Sequence, residues 1–313
     1  MNAKEEFKKM NRAFYERYSR LDDSDDFWAY LFKPVRQSIR INTLKAPLEL
    51  VLERLSERYE LEPVPWVREG FFIRPPGGGT VNFGEMPEYS LGLVIPQEAS
   101  SMIPPVVLEP KPGELILDMA AAPGSKTTQI AQYMENEGCI IANDAKRDRA
   151  NILIANLNRA GVLIAKVTVR DGAYFGRYEN TFDRVLLDAP CSSVGMVRKN
   201  FKFAYTWSIH KVLYHTRIQR KLILAAYRAL KPGGVLVYST CTVDPLENEA
   251  VVDFLLQRTD AKLEKIKLPV KGREPILEWE GREFSPEVKK TLRIHPQDND
   301  TEAFFVAKIR KPR

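Results

Sequence analysis

Apolar and polar positions after Pro112 alternate between short apolar runs and longer amphipathic stretches. The apolar runs predict five strands, at Glu114–Met119, Cys139–Asn143, Ala165–Val169, Arg184–Leu187 and Val235–Tyr238. The stretches between and after them predict helices, at Gly124–Met134, Lys146–Arg159, His210–Leu230 and Leu246–Leu256. Strands that alternate with helices form a parallel sheet covered on both faces. The pattern therefore predicts an α/β fold with a doubly wound, Rossmann-like sheet.

The chain before about Leu91 is predicted to form a small α+β unit. Apolar residues between Leu48 and Leu55 recur at the spacing of one helix face. The predicted helices of this unit are Ala3–Tyr18 and Leu48–Tyr59, and the predicted strands are Ser38–Thr43 and Gly70–Arg74. We expect two domains, with residues 1–92 forming an N-terminal α+β domain and residues 93–313 a larger α/β domain.

Composition narrows the class of protein. With 313 residues and 44% hydrophobic content, the chain can form a sizeable core. No apolar run is long enough to cross a bilayer, and the charged N-terminus lacks the apolar region of a signal peptide. We therefore expect a cytoplasmic protein without a membrane partner. A net charge of +6 is compatible with a polyanionic partner.

The first predicted strand ends at Asp118 and is followed by small residues and the start of a helix. Small side chains let a ligand approach the backbone, and a helix N-terminus offers free N–H groups. The segment has neither the GxGxxG fingerprint nor the Gly-Lys-Ser/Thr of a P-loop. A plain strand-to-helix turn is the alternative. The candidate cofactor-binding residues here are Ala120, Ala121, Ala122, Pro123, Gly124, Ser125 and Lys126.

Acidic residues stand at the ends of four successive predicted strands. They are Asp118, Asp144, Asp171 and Asp188. Ligands of doubly wound folds bind beyond the carboxyl ends of the strands, where an acid can bond ribose hydroxyls. Each acid taken alone could equally cap a helix. Together they indicate a ligand that contains a nucleoside.

Two of the three cysteines also stand at strand ends. Cys191 follows the fourth strand in Asp-Ala-Pro-Cys-Ser, and Cys241 follows the fifth in Ser-Thr-Cys-Thr. Cys139 begins its strand and is predicted to be a buried small hydrophobe, which is also the alternative for the other two. Because chemistry in this fold takes place at strand ends, Cys191 and Cys241 are candidate nucleophiles. The chain has no CxxC pair, and we expect no metal site.

These motifs resemble those of the RNA cytosine-5 methyltransferase family that includes the Sun/Nop2-type enzymes. The resemblance rests on DMAAAPGSKT, Asp144, Asp171, DAPCS and STC, and it runs from about Lys33 to the C-terminus. The segments KPVRQSIRINTLK, IPQEASSM and TEAFFVAKIRK are similar to further family segments. In its short form, the chain looks most like the archaeal transfer-RNA members.

The resemblance implies an S-adenosyl-L-methionine cofactor and a role for each candidate residue. It also implies that residues 1–92 form an RNA-binding domain and residues 93–313 the methyltransferase catalytic domain. Cys241 would be the nucleophile, and Cys191 would assist product release. Asp188 would contact the target base, and Lys126 would belong to the same network. The implied cofactor-binding positions beyond the loop are Asp144 for the ribose, Asp171 for the adenine, Arg149 and Asp188.

The chemistry of such a reaction is consistent with these residue types. Carbon 5 of cytosine is a poor nucleophile, and addition of a thiolate to carbon 6 makes it reactive toward an electrophilic methyl group. An acid that donates to ring nitrogen 3 eases the developing charge, a task suited to a protonated Asp188. A base must then remove the carbon 5 proton, for which Cys191 is the candidate. Lys126 could favour the Cys241 thiolate or neutralise Asp188, and both readings stay open.

Three positions differ from the family pattern. Ser125 precedes the loop lysine where glycine is usual, Ser193 stands where glycine is common, and Thr242 follows Cys241 where serine is common. Serine limits the backbone freedom that glycine allows. We therefore expect a slightly altered cofactor affinity and an unaltered nucleophile.

Basic and aromatic residues follow the DAPC motif directly. They suit phosphate contact and base stacking around a target base that must be flipped out. A partly buried aromatic loop is the alternative. This set is Arg198, Lys199, Phe201, Lys202, Phe203, Tyr205 and Trp207, and a second candidate RNA surface is Lys33, Arg36, Arg40 and Lys45.

The expected function is therefore methylation of carbon 5 of cytosine in RNA, with transfer RNA as substrate and ribosomal RNA as the alternative. The STC cysteine disfavours DNA cytosine methylation, which relies on a single Pro-Cys nucleophile. DAPC replaces the Asn/Asp-Pro-Pro-aromatic loop of exocyclic amino methylation and disfavours that reaction. A non-catalytic RNA-binding or assembly protein is the alternative from another class. We expect a monomer.

Overall fold

The computed structural model describes residues 3–313. The helices are α1 Ala3–Met10, α2 Arg12–Tyr18, α3 Asp25–Phe32, α4 Leu48–Ser56, α5 Pro87–Ser90, α6 Ile103–Leu108, α7 Ser125–Tyr133, α8 Arg147–Ala160, α9 Lys202–Tyr205, α10 Ile209–Ala229, α11 Glu249–Leu256 and α12 Pro296–Asn299. The strands are β1 Ser38–Ile41, β2 Glu60–Pro63, β3 Gly70–Arg74, β4 Val94–Pro96, β5 Leu115–Asp118, β6 Cys139–Asp144, β7 Ala165–Val169, β8 Phe182–Asp188, β9 Leu230–Thr240, β10 Lys262–Glu264, β11 Glu278–Trp279, β12 Arg282–Glu283, β13 Leu292–Ile294 and β14 Phe304–Arg310.

The large sheet has the order β10-β14-β9-β8-β5-β6-β7, and β13 pairs with β14 outside this path. The five strands from β5 to β9 are parallel to their neighbours, whereas β14 is antiparallel to β9. These five are the strands that the apolar runs predict, and the doubly wound, Rossmann-like fold is confirmed. Their carboxyl ends meet at one edge of the sheet, and the order changes direction between β5 and β8, where ligands bind in such folds.

Both faces of the large sheet are buried, as its continuous apolar strands require. Alternate residues of β8 belong to different hydrophobic clusters: Val185 and Leu187 face one, and Leu186 faces the other. The first cluster includes the apolar face of α10 and α11. The second includes residues of α6, α7 and α8. The strands are therefore held between two layers of helices.

The N-terminal helices pack against the large domain rather than against the small sheet. Phe14, Trp28 and Leu31 are fully buried in the same cluster as α10. The predicted helix over Ala3–Tyr18 is interrupted at Asn11, whose side chain accepts a hydrogen bond from the Phe14 amide at 3.1 Å. Asparagine favours such an N-cap because its short side chain replaces a missing backbone acceptor. The cap therefore turns one predicted helix into α1 and α2.

The small sheet has the order β2-β3-β1-β4, is antiparallel, and has a core of its own under α4. Arg40 on β1 is fully buried and reaches the first turns of α7. Its guanidinium donates to Thr128 Oγ1 at 2.7 Å, to Gln97 Oε1 at 3.0 Å and to the Gln132 side chain. The expectation that Arg40 forms part of an RNA surface is therefore wrong, because its donors are all directed into the protein.

The last strand of the small sheet, β4, lies beyond residue 92 and pairs with β1. The division of the chain at residues 92 and 93 stays a prediction. No helix within residues 3–313 combines the length and the apolar character needed to span a membrane.

Candidate active site

The loop between β5 and α7 needs glycine at its last position. Gly124 has φ +110°, a left-handed conformation that side chains rarely adopt. A Cβ atom at this position would lie 2.8 Å from Leu153 Cδ1 on α8. The loop therefore packs tightly on α8, and its backbone lines a cavity of about 490 Å³. Ala122, Pro123, Ser125 and Lys126 line the same cavity.

Asp118 ends β5 directly below this loop and is buried. Its Oδ2 accepts a hydrogen bond from Thr127 Oγ1 at 2.7 Å, whereas its Oδ1 has no partner among residues 3–313. Burial raises the pKa of Asp118 to about 7, and the charge of Asp188 adds to this effect. A buried carboxyl oxygen without a partner is costly unless a ligand or proton satisfies it. In the sequence, Asp118 is one of the four strand-end acids that indicate a nucleoside-containing ligand, and the family resemblance assigns it no separate role.

Asp144 and Arg149 support the cofactor loop from the side of α8. Asp144 is buried and accepts a hydrogen bond from the Lys146 amide at 3.0 Å, with Arg149 Nε 3.4 Å from its other oxygen. The Arg149 guanidinium also donates to the Ala122 carbonyl at 2.5 Å and lines the cavity. Arg149 therefore contacts the loop directly, and Asp144 is linked to the loop through Arg149.

Asp171 occupies a different position from the rest of the predicted set. Its side chain is exposed and accepts a hydrogen bond from the Ala173 amide at 2.9 Å, which caps the 3-10 helix Gly172–Arg177. It does not belong to the cavity lining within residues 3–313, and neither do Ala120, Ala121 and Asp144. For Asp171, the geometry is that of the helix-cap alternative.

Lys126 and Asp188 form an ion pair in the cavity wall. Lys126 Nζ lies 2.7 Å from Asp188 Oδ2 and 2.7 Å from Ser101 Oγ. The other carboxylate oxygen of Asp188 accepts a hydrogen bond from Ser239 Oγ at 2.7 Å. Burial alone would lower the pKa of Lys126, but the charge and hydrogen bond of Asp188 outweigh it and raise the pKa. Lys126 is therefore an ammonium group at neutral pH.

The two strand-end cysteines meet at the same place. Their Sγ atoms are 3.3 Å apart, because β8 and β9 are neighbours and both turn into loops at this edge. Cys241 lines the cavity, whereas Cys191 does not belong to its lining among the described residues. The hydrogen bond with Cys241, together with burial, raises the pKa of Cys191 well above its ordinary value. Cys191 is therefore a thiol at neutral pH, with its hydrogen available to Cys241 Sγ.

Two acidic residues that the sequence analysis does not assign complete the cavity wall. Glu98 and Glu302 both line the cavity, and Lys199 Nζ, from the basic and aromatic set, lies 2.5 Å from Glu302 Oε1. Burial raises the pKa of Glu302 to about 7, and the nearby charge of Glu98 adds to this effect. Glu98 is part of the IPQEASSM segment, so the family resemblance was the available signal for it.

The basic and aromatic segment after the DAPC motif is partly structural. The Arg198 guanidinium is fully buried and donates to the carbonyls of Lys33, Pro34 and Thr301. Trp207 is also buried, with its Nε1 donating to Tyr18 OH at 3.0 Å. For these two residues the alternative of a buried loop is correct. The exposed members of the set are Lys199, Lys202 and Tyr205.

No group of three or more His, Cys, Asp or Glu side chains within residues 3–313 is arranged to hold a metal ion. His295 instead contacts Asp22 through Nδ1 at 2.9 Å.

Solved structures with the same fold define the class of protein. A methyltransferase homologue from Pyrococcus horikoshii is 36% identical, with a TM-score of 0.85 over 96% of this chain and 95% of that one. NSun6 from Pyrococcus horikoshii, solved with SFG, is 27% identical, with a TM-score of 0.81 over 100% and 98%. The fold and the strand-end site are thus those of a Rossmann-like methyltransferase.

Family models match both parts of the chain. The model of 16S rRNA methyltransferase RsmB/F matches residues 105–310, and that of the N-terminal domain of 16S rRNA methyltransferase RsmF matches residues 10–99. The chain belongs to the RsmB/F methyltransferase family, as the Sun/Nop2-type resemblance predicts.

Two curated relatives differ in how much of their length is matched. A tRNA (cytosine(49)-C(5))-methyltransferase from Pyrococcus abyssi is 77% identical, with 100% of each chain covered. A ribosomal RNA small subunit methyltransferase F from Aliivibrio fischeri is 43% identical over 92% of this chain. This chain spans 60% of the length of that bacterial relative.

Proposed function

We propose that the protein is an S-adenosyl-L-methionine-dependent RNA (cytosine-5) methyltransferase that acts on transfer RNA through a covalent bond between Cys241 and carbon 6. The observation that carries the proposal is the cavity that Cys241 shares with the β5–α7 loop and the Lys126–Asp188 pair. A nucleophile, a charged pair and a cofactor loop on one wall are the parts that this reaction needs.

The residues around the loop fit S-adenosyl-L-methionine. Gly124 and its small neighbours allow a close approach to the backbone. The unpartnered Asp118 Oδ1 and the cationic Arg149 lie below and beside the same loop. When bound, the cofactor supplies an electrophilic methyl group on a positively charged sulfur. Ala120 to Lys126, Arg149 and Asp188 would hold it, with Asp144 supporting Arg149 and Asp171 at the outer edge.

Cys241 starts the reaction as the nucleophile. Its thiolate adds to carbon 6 of cytosine, and the electrons of the carbon 5–carbon 6 double bond form the new bond between carbon 5 and the methyl carbon. The cofactor, held by the β5–α7 loop, Arg149 and Asp188, would supply that methyl carbon and would leave as a neutral thioether. The ammonium of Lys126 and the hydrogen of Cys191 both lie close enough to favour the Cys241 thiolate.

Asp188 and Lys126 would orient the base. The oxygens of Asp188 already accept hydrogen bonds from Lys126 and Ser239, which directs the carboxylate toward the cavity. A carboxylate held in this way can accept from the exocyclic amino group of cytosine. Because both of its oxygens already accept hydrogen bonds, the proton that offsets charge at ring nitrogen 3 is proposed to come from Lys126 and not, as the sequence analysis expects, from a protonated Asp188.

Release of the product requires removal of the carbon 5 proton. Its electron pair re-forms the carbon 5–carbon 6 double bond, and the bond from carbon 6 to Cys241 Sγ breaks to regenerate the thiolate. Cys191 is proposed to assist this step, directly or through water. It must first lose its own proton to water, which is easier once Cys241 is bound to carbon 6 and no longer places a negative charge beside the Cys191 thiol.

Transfer RNA is favoured over ribosomal RNA by the extent of the match. The relative named for cytosine 49 of tRNA is 77% identical over the whole of both chains, whereas the ribosomal relative is 43% identical over 92% of this chain. We propose cytosine 49 as the first position to examine. Lys199, Lys202 and Tyr205 are the exposed residues proposed to contact the RNA, and a cytoplasmic monomer is proposed as its form.

The test is tritium transfer from labelled S-adenosyl-L-methionine to unmodified tRNA, with wild type, Cys241→Ala and Cys191→Ala. We expect label in 5-methylcytosine with wild type and none with Cys241→Ala. Cys191→Ala should accumulate a protein–RNA adduct that survives denaturing electrophoresis. A tRNA in which cytosine 49 is replaced by uracil is the substrate control.

Other outcomes would lead to different conclusions. Label that survives Cys241→Ala would move the nucleophile to Cys191. Label on ribosomal RNA alone would keep the chemistry and replace the substrate. Binding of RNA without transfer by wild type would support the non-catalytic alternative.

A further inference from the structure

Glu247 is a buried carboxyl that the proposed reaction does not use. It lies between Cys241 and the start of α11, and its side chain is fully buried. Within residues 3–313, the Glu247 side chain accepts hydrogen bonds from Ser192, which follows Cys191, and from Gln219 on α10. A buried acid survives in a fold only where its oxygens are satisfied, so its partners indicate what it holds.

The partners of Glu247 lie next to the cysteines. Its Oε1 accepts a hydrogen bond from the Ser192 amide at 2.9 Å, and its Oε2 accepts one from Ser192 Oγ at 2.5 Å. Ser192 directly follows Cys191 in the chain. Two bonds to one residue fix both the position and the orientation of the loop that carries Cys191.

The same network reaches the loop that carries Cys241. Ser192 Oγ lies 3.1 Å from Thr242 Oγ1, and Thr242 directly follows Cys241. The Ser192 hydroxyl therefore connects Glu247 to Thr242. The Gly195 amide also donates to the Cys241 carbonyl at 3.0 Å, so the two loops are joined on a second side.

Gln219 on α10 is a further member of this hydrogen-bond network. Its Nε2 donates to Glu247 Oε1 at 3.1 Å and to the Pro190 carbonyl at 2.9 Å, just before Cys191. The segment from Pro190 to Ser192 is thus held on both sides of Cys191 by groups that meet at one carboxyl.

We propose that Glu247 is a positioning residue that acts through Ser192 and Thr242 to hold Cys191 against Cys241 during release of the methylated base. The proposal rests on the proposed function, because it assigns Glu247 to the release step of that reaction. A hydrogen-bonded network of this kind can set a spacing such as the 3.3 Å between the sulfur atoms.

The pKa of Glu247 indicates that its side chain holds the cysteine loops through hydrogen bonds and not through a fixed negative charge. Burial raises the pKa of Glu247 to about 8, and the charge of Asp244 adds to this effect. The hydrogen bonds from Ser192 and Gln219 oppose the rise. An amide side chain, which is neutral and keeps one acceptor oxygen, should therefore replace part of the function.

The experiment compares Glu247→Ala, Glu247→Gln and Ser192→Ala with wild type on tRNA. Single-turnover assays give the rate of methyl transfer, and the decay of the protein–RNA adduct gives the rate of release. We expect Glu247→Ala to slow release by roughly ten- to hundredfold, because a misplacement of about 1 Å at a reacting group costs up to ~10²-fold. Methyl transfer should change by less than about threefold.

Rescue by the conservative variant separates positioning from general destabilisation. Glu247→Gln should fall between Glu247→Ala and wild type, and Ser192→Ala should show a smaller version of the same defect. Because Glu247 acts through Ser192, the double variant should be less impaired than the sum of the two predicts. If Glu247→Ala does not fold, the release and transfer rates of Glu247→Gln and Ser192→Ala, compared with wild type, test the proposal.

The matched control is Asp253→Asn on α11. Asp253 is also buried, but it accepts hydrogen bonds from the Ser285 amide at 2.8 Å and from Gln257 Nε2 at 2.6 Å rather than from a cysteine loop. This variant should melt at a lower temperature and keep the wild-type ratio of release to transfer. If the ratio of release rate to transfer rate is also unchanged in Glu247→Ala and Glu247→Gln, the proposal for Glu247 is overturned. If wild type forms no 5-methylcytosine, the proposed function itself is overturned.

Discussion

Cys191 and Cys241 have the same side chain and the same kind of position in the sequence, yet their surroundings differ. Cys241 lines the cavity beside Lys126, whereas Cys191 lies behind it with a raised pKa. A thiolate is stabilised by nearby positive charge and disfavoured by burial. Two identical side chains 3.3 Å apart are thereby suited to different tasks, one as nucleophile and one as proton carrier.

Asp118 allows the effect of burial on the pKa of a single side chain to be tested. Its pKa is raised from 3.8 to about 7, so the folded protein holds a proton that the unfolded chain releases between these values. The contribution of this group to the free energy of unfolding is present below pH 3.8 and is lost as the pH rises through 7. Asp118→Asn removes the titration. The free energy of unfolding of wild type relative to this variant should therefore fall between pH 4.5 and pH 8, as measured by urea denaturation.

Glu247 and Glu302 also have raised pKa values, but they titrate in both proteins and cancel in the comparison. A difference between wild type and Asp118→Asn that stays constant with pH would show that Asp118 is ionised in the fold.

At the scale of elements, the small sheet and α7 are joined by one side chain. Burial lowers the pKa of Arg40 to about 10, yet the group remains cationic at neutral pH. Its charge is balanced by neutral oxygens of α7 and Gln97 rather than by an acid. The start of α7, which follows the cofactor loop, is thus held in place by a residue from the N-terminal unit.

Arg40→Met should lower the free energy of unfolding by about 3 kcal/mol or more, because several buried acceptors lose their partner at once. Arg36→Met is the control from the same segment. Arg36 stacks on Phe72 and pairs with Glu62 at the surface, so its loss should cost less than about 1 kcal/mol. The measurement is chemical denaturation, and equal losses for the two variants would contradict the role given to Arg40.

Across the whole molecule, the first helices are tied to the catalytic edge. Arg17 on α2 donates to both oxygens of Asp244, at 2.6 and 2.9 Å, and Asp244 lies three residues after Cys241. Asp244 is fully buried and also accepts a hydrogen bond from Tyr18 OH. The N-terminal helices therefore support the active site although they lie far from it in sequence.

Arg17→Ala should lower the free energy of unfolding by about 3–5 kcal/mol, because it leaves Asp244 as an uncompensated buried charge. Arg12→Ala, on the same helix, breaks only the exposed pair with Glu16 and should leave the free energy of unfolding nearly unchanged. Thermal and urea unfolding would measure both. A loss with Arg17→Ala no greater than with Arg12→Ala would show that Asp244 does not depend on Arg17.

The sequence by itself determined the parallel strands, most of their helices and the gathering of acids and cysteines at one edge. These features depend on local periodicity and on the rule that parallel strands end together, so one chain without a structure suffices. The structure alone decided that Cys241 and not Cys191 faces the cavity, that Arg40 and Arg198 are buried, and that Glu98, Glu302 and Glu247 lie at the site. Each of these depends on contacts between residues far apart in the chain, and hydrophobic periodicity carries no information about such pairs. Arginine in particular looks the same in sequence whether its guanidinium meets RNA or the interior of its own protein.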